Sequence, residues 1–247
     1  MPEVAASEAL SAAGVTKRFG GLVAVENMSF SLAEKEVLGL IGPNGSGKTT
    51  VMNLISGALR PTSGAIKLYG DDITAVGASQ VANKGLARTF QLVRMLPAMT
   101  VLENVAAGGV FGHARRWGKE LDDYAHGLLR RVGLPNAGGA FVSALTYIDQ
   151  KRVELARALA SDPKVLLLDE WLAGLNPTEL KIGIALIEQL RKEGCTIIIV
   201  EHVMHAIRSL CDRCIVMSSG AKIAEGTPAE VLADQGVIRA YLGDENA

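Results

Sequence analysis

Aromatic residues are scarce, 4% of 247, and net charge is almost absent: 25 Lys and Arg stand against 26 Asp and Glu. The near balance gives no global pull toward nucleic acid or an anionic membrane, so no nucleic-acid partner is expected. No apolar run approaches the ~18 residues that a membrane helix needs. Cysteine is limited to Cys195, Cys211 and Cys214, an odd number that does not suggest a disulfide framework. Cys211-Asp212-Arg213-Cys214 has C-x-x-C spacing but lacks a second pair or a histidine set, so core or near-surface thiols at a helix-to-strand junction in a reducing, cytoplasmic setting are the simpler reading. The stretch from Met1 to Ala13 is alanine-rich and carries Glu3 and Glu8. It lacks the basic and long apolar regions of a secretory signal, and residues 1–9 are expected to be a loose tail.

What is present is 49% hydrophobic residue content, enough for a proper core. Strands are expected at Ser11–Phe19, Val23–Leu32, Val37–Ile41 and Ala65–Tyr69. Between about Thr100 and Ala160 apolar residues recur at three- and four-residue spacing, the period of helices. Strand and helix then alternate: Val165–Leu168, Thr178–Lys192, Thr196–Val200, Met204–Cys211 and Cys214–Met217. The pattern is α/β, read as one domain over 1–247 with a helical subdomain inserted at about 92–160. The basic cluster Gly112–Lys119, which holds Trp117, reads as a solvated loop, with contact to phospholipid or RNA as the sharper alternative. His202 and His205 have helical spacing but no metal-ligand motif around them.

The stretch Gly42-Pro43-Asn44-Gly45-Ser46-Gly47-Lys48-Thr49-Thr50 fits G-x-x-x-x-G-K-[ST], a phosphate-binding loop. An apolar strand precedes it and a helix follows, the context that the motif requires. Glycines let backbone N–H groups curl around phosphates, and the helix N-terminus adds donors and partial positive charge. Lys48 is placed to reach the β- and γ-phosphates, and the Thr49 hydroxyl to ligate Mg²⁺. A second motif is Val165-Leu166-Leu167-Leu168-Asp169-Glu170, an apolar strand ending in two carboxylates. Asp169 is placed to hold Mg²⁺ and Glu170 to orient or deprotonate the attacking water.

Together with further segments these motifs resemble the ATP-binding subunits of ABC transporters over about Leu10 to Gly243. Lys17-Arg18-Phe19-Gly20-Gly21 resembles the loop whose aromatic, here Phe19, stacks on adenine. Arg88-Thr89-Phe90-Gln91 resembles the glutamine loop, which implies a role for Gln91 toward Mg²⁺ and water. Ala173-Gly174-Leu175-Asn176-Pro177 resembles the loop that crosses the dimer interface, and Ile199-Val200-Glu201-His202 the switch, with His202 near the γ-phosphate. The Ala-Gly-Leu-Asn-Pro stretch, Arg-Thr-Phe-Gln and the ending Glu225-Gly226-Thr227-Pro228 with Val237 to Gly243 are similar to the larger ATPase subunit of the branched-chain amino acid uptake branch.

The resemblance implies a P-loop NTPase core with N-terminal antiparallel strands and a helical subdomain. It implies ATP and Mg²⁺ as cofactors and a peripheral position on the cytoplasmic face of the inner membrane. The implied activity is ATP hydrolysis powering an importer of branched-chain amino acids or related small polar or amide solutes. The implied partners are a second ABC ATPase subunit packed head to tail, two membrane permeases contacted near Gln91–Asn104, and indirectly an external solute-binding protein. Three alternatives stay open: an ABC-type ATPase not coupled to transport, an exporter of lipid or lipopolysaccharide, and a regulatory nucleotide-binding module that does not hydrolyse ATP.

The family signature is altered here to Leu145-Thr146-Tyr147-Ile148-Asp149-Gln150, with Thr146, Tyr147, Ile148 and Asp149 expected at a nucleotide of the opposite chain. Ile148 replaces a glycine and Asp149 adds an acid, while Thr146 and Asp149 also suit a helix cap. At about 6 Å and an effective dielectric of ~20, Asp149 facing a phosphate charge costs roughly 3 kcal/mol. The expectation is an asymmetric heterodimer whose better site uses Lys48 and Glu170 of this chain. Trp171 replaces a proline after the catalytic acid, and Val203 an acidic residue after the switch histidine.

Overall fold

A computed structural model describes residues 7–242. Strand β3 (Val37–Ile41) sets the plan, because its alternate side chains enter two different cores. Val37 and Ile41 join one core, Leu38 and Leu40 the other. The same alternation holds in β7 (Val165–Asp169), where Leu166 and Leu168 face the first core and Val165 and Leu167 the second. A sheet buried on both faces explains why these strands are uninterrupted apolar runs.

The central sheet has the order β10-β9-β3-β8-β7-β6. It includes β6 (Leu86–Arg88), β8 (Ile197–Val200) and β9 (Arg213–Ser218), paired in parallel around β3 and β7, with β10 (Ala221–Gly226) antiparallel at one edge. A second, antiparallel sheet has the order β2-β1-β4-β5, formed by β1 (Glu8–Phe19), β2 (Leu22–Ala33), β4 (Ser63–Leu68) and β5 (Asp71–Asp72). It shares the second core with helix α1 (Lys48–Ile55). The first core is filled by α3 (Val101–Phe111), α4 (Gly118–Arg131), α5 (Tyr147–Ala160), α6 (Pro177–Lys192) and α7 (Met204–Leu210). Short helices α2 (Ala78–Asn83), α8 (Pro228–Ala233) and α9 (Gln235–Leu242) complete the chain.

Glu8 and Ala9 are not a tail. They begin β1, and Ala9 is fully buried because β1 is paired on both sides, by β2 and β4. Residues 1–6 of the expected tail lie outside the described residues. Cys211 and Cys214 are free, buried thiols that pack over Gly39 of β3, whose added Cβ would lie 3.0 Å from the Cys211 sulfur and 2.9 Å from that of Cys214. Among the described residues no group of three or more His, Cys, Asp or Glu could hold a metal, and no helix is long and apolar enough to cross a membrane.

Candidate nucleotide site and acid triad

The loop 42–47 leaves the C-terminal end of β3 and enters α1 through Gly47, which has φ 103. That left-handed backbone suits glycine. A Cβ there would also sit 2.5 Å from the Ala24 carbonyl. The loop is fastened by Ser46 N–H to Pro43 O (3.2 Å) and Gly220 N–H to Ser46 O (3.0 Å). Ser46 is buried at its base. A cavity of about 510 Å³ opens above, lined by Asn44, Gly45, Gly47, Lys48, Thr49, Thr50, Phe19 and Glu170. Phe19 is 46% exposed there, and the Lys17 ammonium lies 5.0 Å from its ring centroid. Leu22, Val23, Ala24, Ser219 and Gly220 also line the cavity. No motif pointed to them, because they arrive through the β1–β2 and β9–β10 hairpin ends.

Lys48 is buried, and its ammonium donates to the carbonyls of Gly42 and Pro43, each at 2.8 Å. Burial lowers its pKa, while Glu170 and Asp169 oppose that shift. The ammonium thus rests on the loop's own carbonyls, in a cradle where phosphate oxygens are the natural competing acceptors.

Glu170 follows β7 and is the point where two other predicted residues, Gln91 and His202, converge. Gln91 Nε2–H donates to its Oε2 at 2.6 Å, and His202 Nε2 lies 3.0 Å from its Oε1. Glu170 adopts φ 47, a costly conformation for a non-glycine residue. Its N–H donates to Val200 O at 2.8 Å. Asp169 is buried and ion-paired with Arg88 at 2.6 Å. Arg88 also donates to Asn53 Oδ1 and Ser56 Oγ of the α1 segment. In the sequence it stands out only as part of Arg-Thr-Phe-Gln, because its tie to Asp169 spans 81 residues. Thr49, Gln91 and Asp169 line a second cleft of about 270 Å³ beside the first. Oxygen donors of this kind suit a hard cation such as Mg²⁺.

The switch segment holds a further acid. Glu201 is buried, and its Oε1 accepts from Leu172 N–H at 2.7 Å. Burial pushes its pKa up to about 7. Glu154 on α5 is also buried, accepts from the N–H groups of Phe90 (3.4 Å) and Arg94 (3.3 Å), and has its pKa raised by burial. It therefore holds the segment around Gln91.

Thr146–Asp149 line neither cleft. Thr146 caps α5, its hydroxyl donating to Asp149 Oδ2 at 2.9 Å and accepting from Asp149 N–H at 3.4 Å. Asp149 is further paired with Arg152 at 3.0 Å. Ile148 is only 6% exposed, and Tyr147 is exposed at the surface. The expected crowding by Ile148 and the charge of Asp149 concern a nucleotide held by a second chain. The Ile148 side chain turns into the protein, and Arg152 offsets the carboxylate.

The family description ABC transporter matches residues 25–173, and a branched-chain amino acid ATP-binding cassette transporter description matches residues 221–247. The chain belongs to the ABC transporter family, as one of its ATP-binding subunits. It is similar to the high-affinity branched-chain amino acid transport ATP-binding protein LivG of Escherichia coli (strain K12), 41% identical over 95% of this chain and 98% of that one. It is also similar to BraF of Pseudomonas aeruginosa, 39% identical over 95% and 98%. The lipopolysaccharide export ATP-binding protein LptB of Escherichia coli (strain K12) is 32% identical over 96% and 98%. Among solved structures, the ADP conformation of an ABC transporter cassette superimposes with TM-score 0.88 at 30% identity, covering 96% of this chain and 99% of that one. A dimeric post-hydrolysis cassette bound to ADP and Pi gives TM-score 0.79 at 25% identity, covering 89% and 98%. The subunit's α/β core, antiparallel sheet and helical segment are those of an ABC ATPase.

Proposed function

We propose that this subunit binds ATP with Mg²⁺ at the Lys48 cavity, hydrolyses it, and so drives import of branched-chain amino acids or closely related solutes. The observation that carries the proposal is Glu170 at the cavity wall, held on one oxygen by Gln91 and on the other by His202. The loop's backbone N–H groups and Lys48 would hold the phosphates, Phe19 the base, and Thr49 and Asp169 the metal, with Gln91 beside it. Bound Mg²⁺ neutralises phosphate charge and so assists phosphoryl transfer. Arg88 occupies Asp169 Oδ2, which leaves Oδ1 for the ion or its water shell.

An ionised carboxylate offers about four lone-pair sites. Two are used by Gln91 and His202, so Glu170 can still accept the proton of an attacking water. His202, with its proton on Nε2, orients the carboxylate and stabilises its charge. The cavity contains no donor from Thr146–Asp149, and the chain has one phosphate loop. A second ATPase chain, packed head to tail as a heterodimer, would bring its own signature to the Lys48 cavity. Leu92 (76% exposed), Leu96 and Met99 stand out on the segment after Gln91 and form an apolar surface suited to the permease subunits. Such docking would place the subunit at the cytoplasmic face of the inner membrane and link it indirectly to a solute-binding protein.

The test is uptake of radioactive leucine by cells that lack this chain and are complemented with wild type or with Glu170→Gln. Wild type should restore uptake and the variant should not. Restoration by both would overturn the proposal. Unaltered leucine uptake on loss of the chain, with lipopolysaccharide stalled in the inner membrane, would point to export instead.

A further inference from the structure

Trp171 stands directly after Glu170, where the resemblance leads one to expect proline. It is the largest of the fully buried side chains, and its Nε1–H donates to the Lys151 carbonyl of α5 at 3.2 Å. On another side the ring meets α6 at Gly183. A Cβ there would lie 3.3 Å from the Trp171 ring and 2.6 Å from Leu172. Glycine is a poor residue for a helix interior. Its place within the sixteen residues of α6 is explained by the room this turn needs.

The turn is fastened on every side. Glu170 N–H bonds to Val200 O of β8, Leu172 N–H to Glu201, and the Trp171 indole to α5. Helix α5 is also the helix capped by Thr146 and Asp149, and its Lys151 ammonium lies 3.5 Å from the Gln91 carbonyl. A strained Glu170 persists only where its surroundings over-determine it. The hydrogen bond from this turn to the signature helix runs through a side chain that proline could not supply, and Tyr147 of the same helix packs beside Gly174.

We propose that Trp171 is a positioning residue, a strut that makes the Glu170 turn and the Thr146–Asp149 edge move as one body. Contact of that edge with a nucleotide on another chain is thereby felt at the acid facing this chain's own nucleotide. The inference rests on the ATPase reading above. Its effect is a coupling between two sites, reciprocal in binding.

The experiment replaces Trp171 by β-(3-benzothienyl)alanine, which keeps the ring's shape but has sulfur in place of N–H, in the purified transporter. ATP binding should stay within about twofold, while turnover falls about tenfold, since small misplacements of reacting groups are costly. The Hill coefficient for ATP should drop from near 2 toward about 1, as expected when coupling between sites is lost. Unchanged turnover and cooperativity would overturn the strut. Wild-type transporter that hydrolyses no ATP would instead overturn the ATPase reading.

A second measurement needs no variant. In ¹⁵N-tryptophan-labelled chain, the Trp171 indole N–H should exchange slowly with water both without nucleotide and with ATP, unlike that of the exposed Trp117. Loss of protection in either state would show the tie broken and the strut wrong. Gly183→Ala discriminates further. Helix propensity alone raises stability, whereas a disturbed seat for Trp171 lowers turnover severalfold. Gain of stability with full turnover would contradict the proposal.

Discussion

The Lys48 cavity and the Thr146–Asp149 edge are both built at helix N-termini, yet they differ in what they leave unsatisfied. At the cavity, a buried ammonium rests on loop carbonyls, and Glu170 keeps lone pairs to spare between two donors. At the edge, Thr146 pairs with Asp149 and Asp149 with Arg152, whose buried Nε keeps no partner, and Ile148 is packed away. The first region is shaped for chemistry and the second for presentation. The difference fits the proposal that one chain supplies the base and the phosphate cradle and a second chain closes the site.

The largest expected effect falls on the cavity. Glu170→Gln should lower ATP turnover by about 10²-fold or more with ATP affinity nearly intact, because only the proton acceptor is lost. Equilibrium ATP binding beside steady-state hydrolysis checks it. At the edge, Ile148→Gly should not speed the enzyme. It removes a buried side chain and should destabilise the fold by about 3 kcal/mol, read by urea unfolding. Faster turnover with unchanged stability would restore the crowding picture.

Glu201 gives a pH signature. Its folded pKa, about 7, lies above the ordinary carboxylate value of 4.5. The folded state therefore holds the proton more tightly, and the stability it confers is present at low pH and lost as pH rises from 4.5 to 7. Relative to Glu201→Gln, wild type should lose on the order of 3 kcal/mol across that window. Denaturant midpoints of both proteins across the range test this, and parallel curves would exclude it. The smallest effect concerns Phe19→Ala, which should weaken ATP and GTP alike by about tenfold, since stacking on a ring does not read base edges. A loss confined to ATP would mean an edge-specific contact.

The phosphate loop and the paired acids after β7 stand out because each follows an apolar strand whose burial the sequence announces, whereas Gln91 and His202 are reached through the family resemblance. The short elements do not stand out. β6 has three residues and β5 two, and β10 is a half-exposed edge strand with the composition of a loop. Glu8 and Ala9 carry little strand propensity, and tertiary pairing on both sides of β1 decides their state. Arg88 facing Asp169, Glu201 holding Leu172 and Gly183 seating Trp171 depend on approaches between distant segments. The burial of Ile148 was not legible because a residue at a helix start can face in or out by one step of rotation.

The central claim is that the Thr146–Asp149 edge serves the other chain's nucleotide and not its own. It is tested by vanadate trapping of a photoreactive azido-ATP in the two-chain complex, with the Thr146→Val and Asp149→Ala changes made in this chain. The label should persist on this chain and disappear from its partner. Loss of label from this chain, with the partner still labelled, would contradict the claim.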